Sequence, residues 1–514
     1  MRNLAESRRE TAEKELGSTQ IKRNVSIVGL IIFSGTLLFV PIWQLISDGL
    51  RGEPPHVFRA INLLPVPNLT EIAQYEDTLE EESILTDWLL PSVQTILTRV
   101  FLIGNEQAYL GRDGWLFYRA DIDSLIRPDR QKTASTARAA IIEFNRQLQA
   151  RDITLIIMPT PVKPTIHPEK FSARYSNPNA PIHNPNYAAF IEALALEGVP
   201  VYDPSLLLFA AARQEAQYLK TDTHWKPEAM ERVAERLAAF IIEQVELSTD
   251  PSFVYTKTTE DTVNIGDIAK MLKLPEDQKL FPQERVTRRV VETLIDRQLA
   301  QNSEILFLGD SFSNIYSLAG MEWGNSAGFV EHLSAALARP IDKIVINAGG
   351  TDATRQALVQ EISRGNDRLA GKRVLIYQFA TRELFSGAWK LLSIPSDKAL
   401  QRSSMSIAEN ITVTATIKAK TEPPVPRTVP YAECIIALHL ENLETSSLPA
   451  EFVVFLWGMR ENQWTDAATF EVGQKVKLRL RPWTAVETEY GSYNRKELED
   501  EEAWLLDIYW GELP

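Results

Sequence analysis

The chain is 514 residues long, a length that favours about two to four domains over a single hydrophobic core. A composition of 44% hydrophobic and 9% aromatic residues is typical of a folded protein and argues against long disordered tracts. The formal net charge of −14 argues against nucleic-acid binding, and the single cysteine, Cys434, excludes an intramolecular disulfide and a cysteine-built metal site.

An uncharged run near the amino terminus, residues 25–46, is the first element that the sequence predicts. Its 22 residues are rich in Ile, Leu, Val and Phe and are long enough to span a bilayer core of about 30 Å. Basic residues precede it, namely Arg2, Arg8, Arg9, Lys14, Lys22 and Arg23. Since positive charge stays on the cytoplasmic side, we expect a cytoplasmic tail at 1–24, a transmembrane anchor at 25–46 and the remainder outside. The alternative is a buried core helix.

Residues 47–100 form a predicted tether, because four prolines between Pro54 and Pro67 interrupt regular structure. The predicted catalytic domain, residues 101–400, alternates between helices and apolar strands. Its predicted helices are 133–150, 186–196, 227–245, 326–338 and 354–363, and its predicted strands are 153–158, 199–202, 305–308, 344–347 and 374–379. This alternation predicts an α/β fold with a parallel sheet flanked by helices on both faces. The polar segment 252–297 interrupts the pattern and is interpreted as an insertion or lid.

The pattern of apolar and polar residues changes after about residue 400. Short runs such as 411–417 and 476–480 alternate between apolar and polar residues, which predicts an antiparallel β domain at 401–514. Cys434 lies in an apolar run and is expected to be buried. Five tryptophans fall in this region: Trp457, Trp464, Trp483, Trp504 and Trp510. They favour core packing, with a carbohydrate-binding platform as the alternative.

Three polar positions follow the carboxyl ends of predicted strands, where ligands meet a parallel sheet. Ser311 follows the run Ile-Leu-Phe-Leu-Gly-Asp, Gly350 lies just beyond the next strand, and Arg382 follows the third. A serine at a strand-to-helix turn lies near free backbone N–H groups that stabilise a developing oxyanion. Asp310 precedes Ser311 directly and is expected to stabilise the turn through its side chain.

A serine nucleophile needs a base and an acid, and the sequence Thr221-Asp222-Thr223-His224-Trp225 offers both. Asp222 and His224 are two residues apart, so their side chains share one face of extended backbone. His167, which lies shortly after a strand, is the competing base. A metal site at Asp222 and His224 is a further alternative, although no third ligand has a recognisable spacing.

Several separated motifs occur in one order along the chain. They are Gly111-Arg112-Asp113-Gly114-Trp115-Leu116-Phe117, Asp222-Thr223-His224-Trp225, Gly266-Asp267-Ile268-Ala269-Lys270-Met271-Leu272, Gly309-Asp310-Ser311-Phe312 and Phe379-Ala380-Thr381-Arg382-Glu383-Leu384. Over roughly residues 100 to 395 this series resembles the SGNH-hydrolase-like O-acetyltransferases of the alginate-acetylation type, the AlgJ and AlgX relatives. The β domain after residue 400 has no counterpart in that resemblance.

The resemblance implies an SGNH-like α/β fold on the periplasmic side of an inner membrane. It further implies that Asp222, His224 and Ser311 are the catalytic acid, base and nucleophile, without a cofactor or a metal. The implied reaction is acetyl transfer to exopolysaccharide hydroxyls, and the acetyl group would come from a membrane-bound O-acyltransferase.

Beyond these three residues, we expect the Ser311 N–H and Gly350 as oxyanion donors. Arg382 and Arg355 are expected either to orient substrate or to form structural ion pairs. Two other functions stay open: an esterase or polysaccharide deacetylase with the same three residues, and a non-catalytic polysaccharide-binding scaffold.

Overall fold

The structure, a computed structural model, describes residues 23–51, 84–126, 133–248, 253–293, 297–347, 350–363, 365–387, 389–395, 411–424, 426, 429, 431–442, 448–491, 493–498, 503 and 506–513. The chain divides into two units, residues 1–93 and 94–514.

The first unit contains a helix at Arg23–Arg51. Among the described residues, no helix combines the length and the apolar character that a membrane span requires. The anchor predicted at residues 25–46 is therefore not confirmed and stays a prediction. Most of the predicted cytoplasmic tail (1–24) and much of the predicted tether (47–100) lie outside the described residues.

The second unit contains all the described strands. They are β1 (Ala108–Leu110), β2 (Leu116–Tyr118), β3 (Thr154–Thr160), β4 (Thr256–Asn264), β5 (Glu284–Glu292), β6 (Ile305–Gly309), β7 (Asp342–Val345), β8 (Val374–Ala380), β9 (Ile411–Lys420), β10 (Cys434–Glu441), β11 (Phe452–Arg460), β12 (Gln463–Trp464), β13 (Lys475–Pro482) and β14 (Ile508–Glu512). The remaining α-helices are Ile84–Ile96, Arg119–Ile126, Thr133–Gln149, Lys163–Ile166, Pro168–Phe171, Tyr187–Leu196, Ser205–Ala212, Pro227–Gln244, Asp267–Met271, Arg297–Gln301, Ser311–Asn314, Phe329–Leu337, Ala353–Ser363, Glu383–Ser386 and Trp483–Tyr490.

A four-stranded parallel sheet in the order β3-β8-β6-β7 forms the centre of this unit. Alternate residues of β6 enter different cores: Ile305 and Phe307 pack with the helices Pro227–Gln244 and Phe329–Leu337, whereas Leu306 and Leu308 belong to the opposite core. Both faces of the sheet are therefore covered, which is why its strands are continuously apolar. The predicted parallel sheet with helices on both faces is confirmed.

Two predicted strands differ from the observed ones. The segment predicted as a strand at 199–202 makes only a single bridge, between Val201 and Ile157, and Pro200 within it has no N–H to donate to a ladder. β7 begins two residues before its predicted start because Asp342, although charged, is buried and paired with Arg368 and Lys372.

The segment interpreted as an insertion forms an antiparallel ribbon. β4 pairs with β5 from Thr256↔Glu292 to Asn264↔Glu284. The connection between the two strands contains the helix Asp267–Met271, whose side chains Asp267, Ile268, Ala269 and Met271 are buried. The ribbon thus carries a short buried helix in the connection between its two strands.

The carboxyl-terminal region forms a closed sheet, which we define as β9, β10, β11, β13 and β14. The pairs β10–β9, β9–β13, β13–β14, β14–β11 and β11–β10 complete a ring of five strands. All of these pairs are antiparallel except β11–β14, which is parallel and departs from the predicted antiparallel domain. Cys434 at the start of β10 is buried, as predicted.

The tryptophans of the closed sheet pack mostly against aromatic neighbours. Trp483 and Trp510 are 7% and 1% exposed, and Trp510 stacks on Tyr490 with ring centroids 4.1 Å apart. Buried rings offer no face to a sugar, so these two support core packing. Trp504 lies outside the described residues.

The two-sided burial of the parallel sheet predicts a strong effect of truncating β6. We expect Leu308→Ala, at a fully buried position, to lower the free energy of unfolding by about 2–5 kcal/mol, since it removes apolar contacts and leaves a cavity. The matched control is Leu206→Ala at a position 71% exposed, which we expect to change it by less than about 0.5 kcal/mol. Urea denaturation followed by circular dichroism measures both, and equal losses would contradict the assignment of Leu308 to the core.

Candidate active site

Ser311 lies where the chain leaves β6 and enters the helix Ser311–Asn314. Asp310 caps this helix, since its Oδ1 accepts a hydrogen bond from the Phe312 N–H at 2.9 Å. Its Oδ2 accepts another from the Ala380 N–H at the end of β8, at 2.8 Å. The turn is thereby tied to the neighbouring strand, and the predicted role of Asp310 in stabilising it is confirmed.

His224 connects Ser311 to Asp222. Its Nε2 lies 2.9 Å from Ser311 Oγ, and its Nδ1 lies 2.7 Å from Asp222 Oδ1. The carboxylate is only an acceptor, so Nδ1 carries the proton and Nε2 is free to accept the hydrogen of the serine hydroxyl. All three side chains are buried. The structure thus brings together three residues that span 89 positions of the sequence, from Asp222 to Ser311.

Four N–H groups hold the Asp222 carboxylate. Oδ1 accepts from the His224 ring and from the His224 backbone, and Oδ2 accepts from Trp323 Nε1 at 2.9 Å and from the Asp267 N–H at 3.1 Å. Burial by itself would raise the pKa of Asp222, but the hydrogen bonds and the charge of His224 lower it below its ordinary value. The carboxylate therefore stays ionised and fixed in orientation.

Burial opposes a charge on His224, yet the pKa of the imidazole is raised above 6.5. The hydrogen bond to Asp222 and the negative charges of Asp222, Asp267 and Asp310 outweigh the loss of solvation. A base of raised pKa takes a proton from a hydroxyl more readily, which is what activation of Ser311 requires.

Asp267 is a second carboxylate beside His224, and the sequence gave no role to it. Its Oδ1 accepts from the Thr223 N–H at 2.7 Å, and its Oδ2 lies 3.7 Å from His224 Nδ1. Burial and the neighbouring charge of Asp222 raise the pKa of Asp267 to about 6. The glycine that precedes it, Gly266, is the sequence signal that could have indicated its position. A Cβ at Gly266 would lie 2.2 Å from the Thr221 carbonyl carbon. Only glycine lets this helix approach the backbone that bears Asp222.

The same three side chains, Asp222, His224 and Asp267, have ligand atoms within 4.8 Å of one another, which is close enough to hold a metal ion. Asp267 thus completes a set of three candidate ligands, and its spacing in the sequence did not reveal it. Three of the four carboxylate oxygens, however, accept hydrogen bonds from N–H groups, whose positive ends repel a cation. This donor set fits a hydrogen-bonded acid and base better than a metal centre.

An open cavity of about 290 Å³ lies over Ser311 and His224. Its lining comes from both parts of the unit: Tyr118, Thr223, His224, Asp267, Met271, Gly309, Asp310, Ser311, Gly350, Thr351, Thr354, Tyr377, Gln378, Phe379, Arg382, Glu383, Val429, Tyr431 and Lys496. Gly350 lies in this lining with φ of +69°, a conformation that a side chain disfavours.

The two predicted arginines have different surroundings. Arg382 lines the cavity, lies 3.0 Å from Asp121 Oδ1 and 3.2 Å from Glu383 Oε1, and so is locally neutralised. Arg355 is 1% exposed, does not line the cavity and pairs with Asp352. Of the two roles expected from the sequence, the position of Arg355 fits a structural ion pair rather than contact with substrate.

The competing base His167 is engaged elsewhere. Its Nε2 accepts a hydrogen bond from the Gln217 N–H at 3.0 Å, and its Nδ1 lies 3.4 Å from Glu169. Burial lowers the pKa of His167. With both ring nitrogens occupied away from Ser311, it is a structural histidine.

Comparison with known proteins gives a family match over the parallel-sheet region. The family model described as the SGNH hydrolase-like domain of the acetyltransferase AlgX matches residues 108–381, more than half of the chain. The closed sheet lies beyond this match.

Curated relatives and solved structures are similar to the same region. The probable alginate O-acetylase AlgJ of Pseudomonas aeruginosa is 27% identical over 291 residues, 55% of this chain and 72% of that protein. AlgJ of Pseudomonas syringae pv. tomato is 26% identical over 51% of this chain and 64% of its own length. The O-acetyltransferase domain of Pseudomonas putida AlgJ aligns at 21% identity with a TM-score of 0.44, covering 54% of this chain and 92% of that domain. Pseudomonas aeruginosa AlgX aligns at 19% identity with a TM-score of 0.42, covering 66% and 73%.

The charges around His224 predict how its ring titrates. We expect the NMR titration midpoint of the His224 ring to lie above 6.5, because both neighbouring carboxylates stabilise the imidazolium up to a higher pH. Asp267→Asn removes one of these charges and should move the midpoint to lower pH. The control, Asp261→Asn on the exposed ribbon, should leave it unchanged. A midpoint that stays the same in Asp267→Asn would show that Asp267 does not act on the ring.

Proposed function

The chain belongs to the family of SGNH hydrolase-like acetyltransferase domains typified by AlgX, and from this membership we propose that it transfers acetyl groups to polysaccharide hydroxyls through Ser311. The observation that carries the proposal is the continuous hydrogen-bonded chain from Asp222 through His224 to Ser311. Such a chain serves nucleophilic catalysis because each member prepares the next for proton transfer.

The first half of the reaction loads the serine. His224 Nε2 accepts the Ser311 hydroxyl proton while Oγ attacks the carbonyl carbon of an acetyl donor. The bond between that carbon and the donor's leaving oxygen then breaks, and His224 returns the proton to the leaving oxygen. This leaves an acetyl ester on Ser311. The Ser311 N–H has no intrahelical acceptor, because it begins its helix, and together with the Gly350 N–H it stabilises the oxyanion.

The second half transfers the acetyl group. A sugar hydroxyl gives its proton to His224 Nε2 as its oxygen attacks the ester carbonyl, and the bond to Ser311 Oγ breaks. The proton on His224 then returns to Oγ, which restores the hydroxyl. Asp222 holds the ring in one orientation through both halves and stabilises the imidazolium formed in each.

We also propose a location and an acetyl source. The uncharged run at 25–46, with its preceding basic residues, would hold the chain at the inner membrane with the active site in the periplasm. Coenzyme A is not expected there, so a membrane-bound O-acyltransferase partner would pass the acetyl group across. Deleting residues 1–46 should move the protein from the membrane pellet to the soluble fraction, as a fractionation immunoblot measures. Retention in the pellet would contradict the anchor.

The role of Ser311 is tested with the full chain and 4-nitrophenyl acetate. We expect Ser311→Ala to lower nitrophenol release at least about a thousandfold, since it removes the hydroxyl that attacks the ester. His224→Ala should lower it similarly. The matched control is Ser176→Ala, at an exposed serine, which should retain full activity. Activity that survives both site substitutions would contradict the mechanism.

Adding an oligosaccharide acceptor separates a transferase from an esterase. A transferase yields oligosaccharide heavier by one acetyl group in mass spectrometry, whereas an esterase yields acetate alone. Nitrophenol release that depends on Ser311 but gives no acetylated sugar would favour the deacetylase or esterase alternative.

A further inference from the structure

The cavity over Ser311 has a wall that the family match does not cover. Val429, Tyr431 and Lys496 line it together with Ser311 and His224, although they belong to the carboxyl-terminal region. The family match ends at residue 381. This chain therefore contains cavity-lining residues that come from outside its acetyltransferase domain.

Direct packing joins the carboxyl-terminal region to the parallel-sheet region. A Cβ at Gly320, in the turn Ala319–Met321, would lie 2.8 Å from Glu433 Oε2 and 3.4 Å from the Tyr493 ring. A side chain at position 320 would meet the end of the Glu433 side chain, so the two regions pack closely at this turn. Burial and the charge of Glu322 raise the pKa of Glu433, and Lys270, in the same helix as Asp267, is close enough to act on it in the opposite direction.

Three hydrogen-bond donors in the cavity lack an acceptor in the part of the chain that the structure describes. Among the described residues, none accepts from the hydroxyls of Tyr118 and Tyr431 or pairs with the Lys496 ammonium. Tyr431 is 5% exposed. Burial raises the pKa of both phenols, so each keeps its proton and remains a donor at neutral pH.

The two phenols come from opposite sides of the seam, the boundary between the parallel-sheet region and the carboxyl-terminal region. Tyr118 ends β2, whereas Tyr431 precedes β10, and the two side chains are near enough that ionisation of Tyr118 would raise the pKa of Tyr431. Arg382, another cation of the lining, is already paired with Asp121 and Glu383. Among the described residues of the lining, Lys496 is thus the lysine or arginine that is left for a ligand. Tyr118 and Lys496 are half-buried, so their donors, like the Tyr431 hydroxyl, line the cavity and are open to acceptors that a ligand supplies.

We propose that the seam is the acceptor subsite, where Tyr118, Tyr431 and Lys496 donate hydrogen bonds to the ring, hydroxyl or carboxylate oxygens of one pyranose unit. This inference rests on the proposed transferase function. The subsite holds the acceptor so that a neighbouring hydroxyl of the sugar faces the acetyl ester on Ser311. The three residues determine acceptor specificity and do not take part in proton transfer. Water, which needs no such subsite, competes for the same ester.

The test measures the ratio of acetyl transfer to hydrolysis in the full chain. The donor is 4-nitrophenyl acetate, and the acceptors are alginate oligosaccharides and, in parallel, cello-oligosaccharides, which share the pyranose ring but lack carboxylates. We expect Tyr431→Phe and Lys496→Gln each to lower this ratio about tenfold, the effect of losing one hydrogen bond to the sugar. They should also raise the KM for the acceptor. Lys496→Arg keeps the charge and the donors and should restore most of the ratio.

The control is Lys477→Gln on the exposed side of β13, which should leave the ratio and the KM unchanged. A larger effect of Lys496→Gln with alginate than with cello-oligosaccharide would assign the ammonium to a carboxylate, and equal effects would assign it to ring or hydroxyl oxygens.

An unchanged ratio and KM in both Tyr431→Phe and Lys496→Gln would overturn the subsite while leaving the role of Ser311 intact. Wild-type protein that cleaves the ester through Ser311 but acetylates neither oligosaccharide would overturn both the subsite and the transferase function. Ester cleavage that persists in both Ser311→Ala and His224→Ala would overturn the proposed function, and the acceptor role of the subsite with it.

Discussion

The hydrogen bond between His224 Nδ1 and Asp222 Oδ1 decides which nitrogen of the imidazole faces Ser311. It is short, buried and supported on the far side of the carboxylate by Trp323 and the Asp267 backbone. These donors leave the carboxylate one orientation and keep it ionised in a place that excludes water. The buried charge is tolerated because every oxygen of Asp222 is hydrogen-bonded. A base of fixed tautomer and raised pKa follows from that arrangement.

Several elements serve this contact from outside it. The sheet supplies Ser311 at the end of β6, while the Asp310 carboxylate fastens the turn to β8. The ribbon of β4 and β5 supplies Asp267, which reaches the site because Gly266 allows close approach to Thr221. The polar segment 252–297 thus contributes a carboxylate that lies beside His224. The family resemblance located the serine, histidine and aspartate, but not this second carboxylate.

The carboxyl-terminal region extends the cavity rather than standing apart from it. Tyr431 and Lys496 line the same space as Ser311, and Glu433 and Tyr493 pack on the turn that contains Gly320. Its buried tryptophans, Trp483 and Trp510, stabilise the closed sheet. The tryptophan content favoured core packing and left a sugar platform as the alternative, whereas the donors that line the cavity from this region are Tyr431 and Lys496. Composition identifies which aromatic residues are present, but not which of them face a ligand.

Local patterns in the sequence determined the parallel sheet, most helix positions and the strand-to-helix turn at Ser311, since periodicity and capping depend on near neighbours. The prediction of β7 erred because the deciding partner is distant, since Asp342 pairs with Arg368. The strand predicted at 199–202 erred for a local reason: Pro200 has no N–H to donate, and a single bridge forms. The identity of Ser311, His224 and Asp222 as candidates was also visible in sequence. Tertiary structure alone decided the distances between these three side chains. It also decided that Asp267 lies beside His224 and that Tyr431 and Lys496 line the cavity. The reason is physical: these contacts join residues from dozens to more than a hundred positions apart, and only packing of the whole unit brings them within hydrogen-bond range.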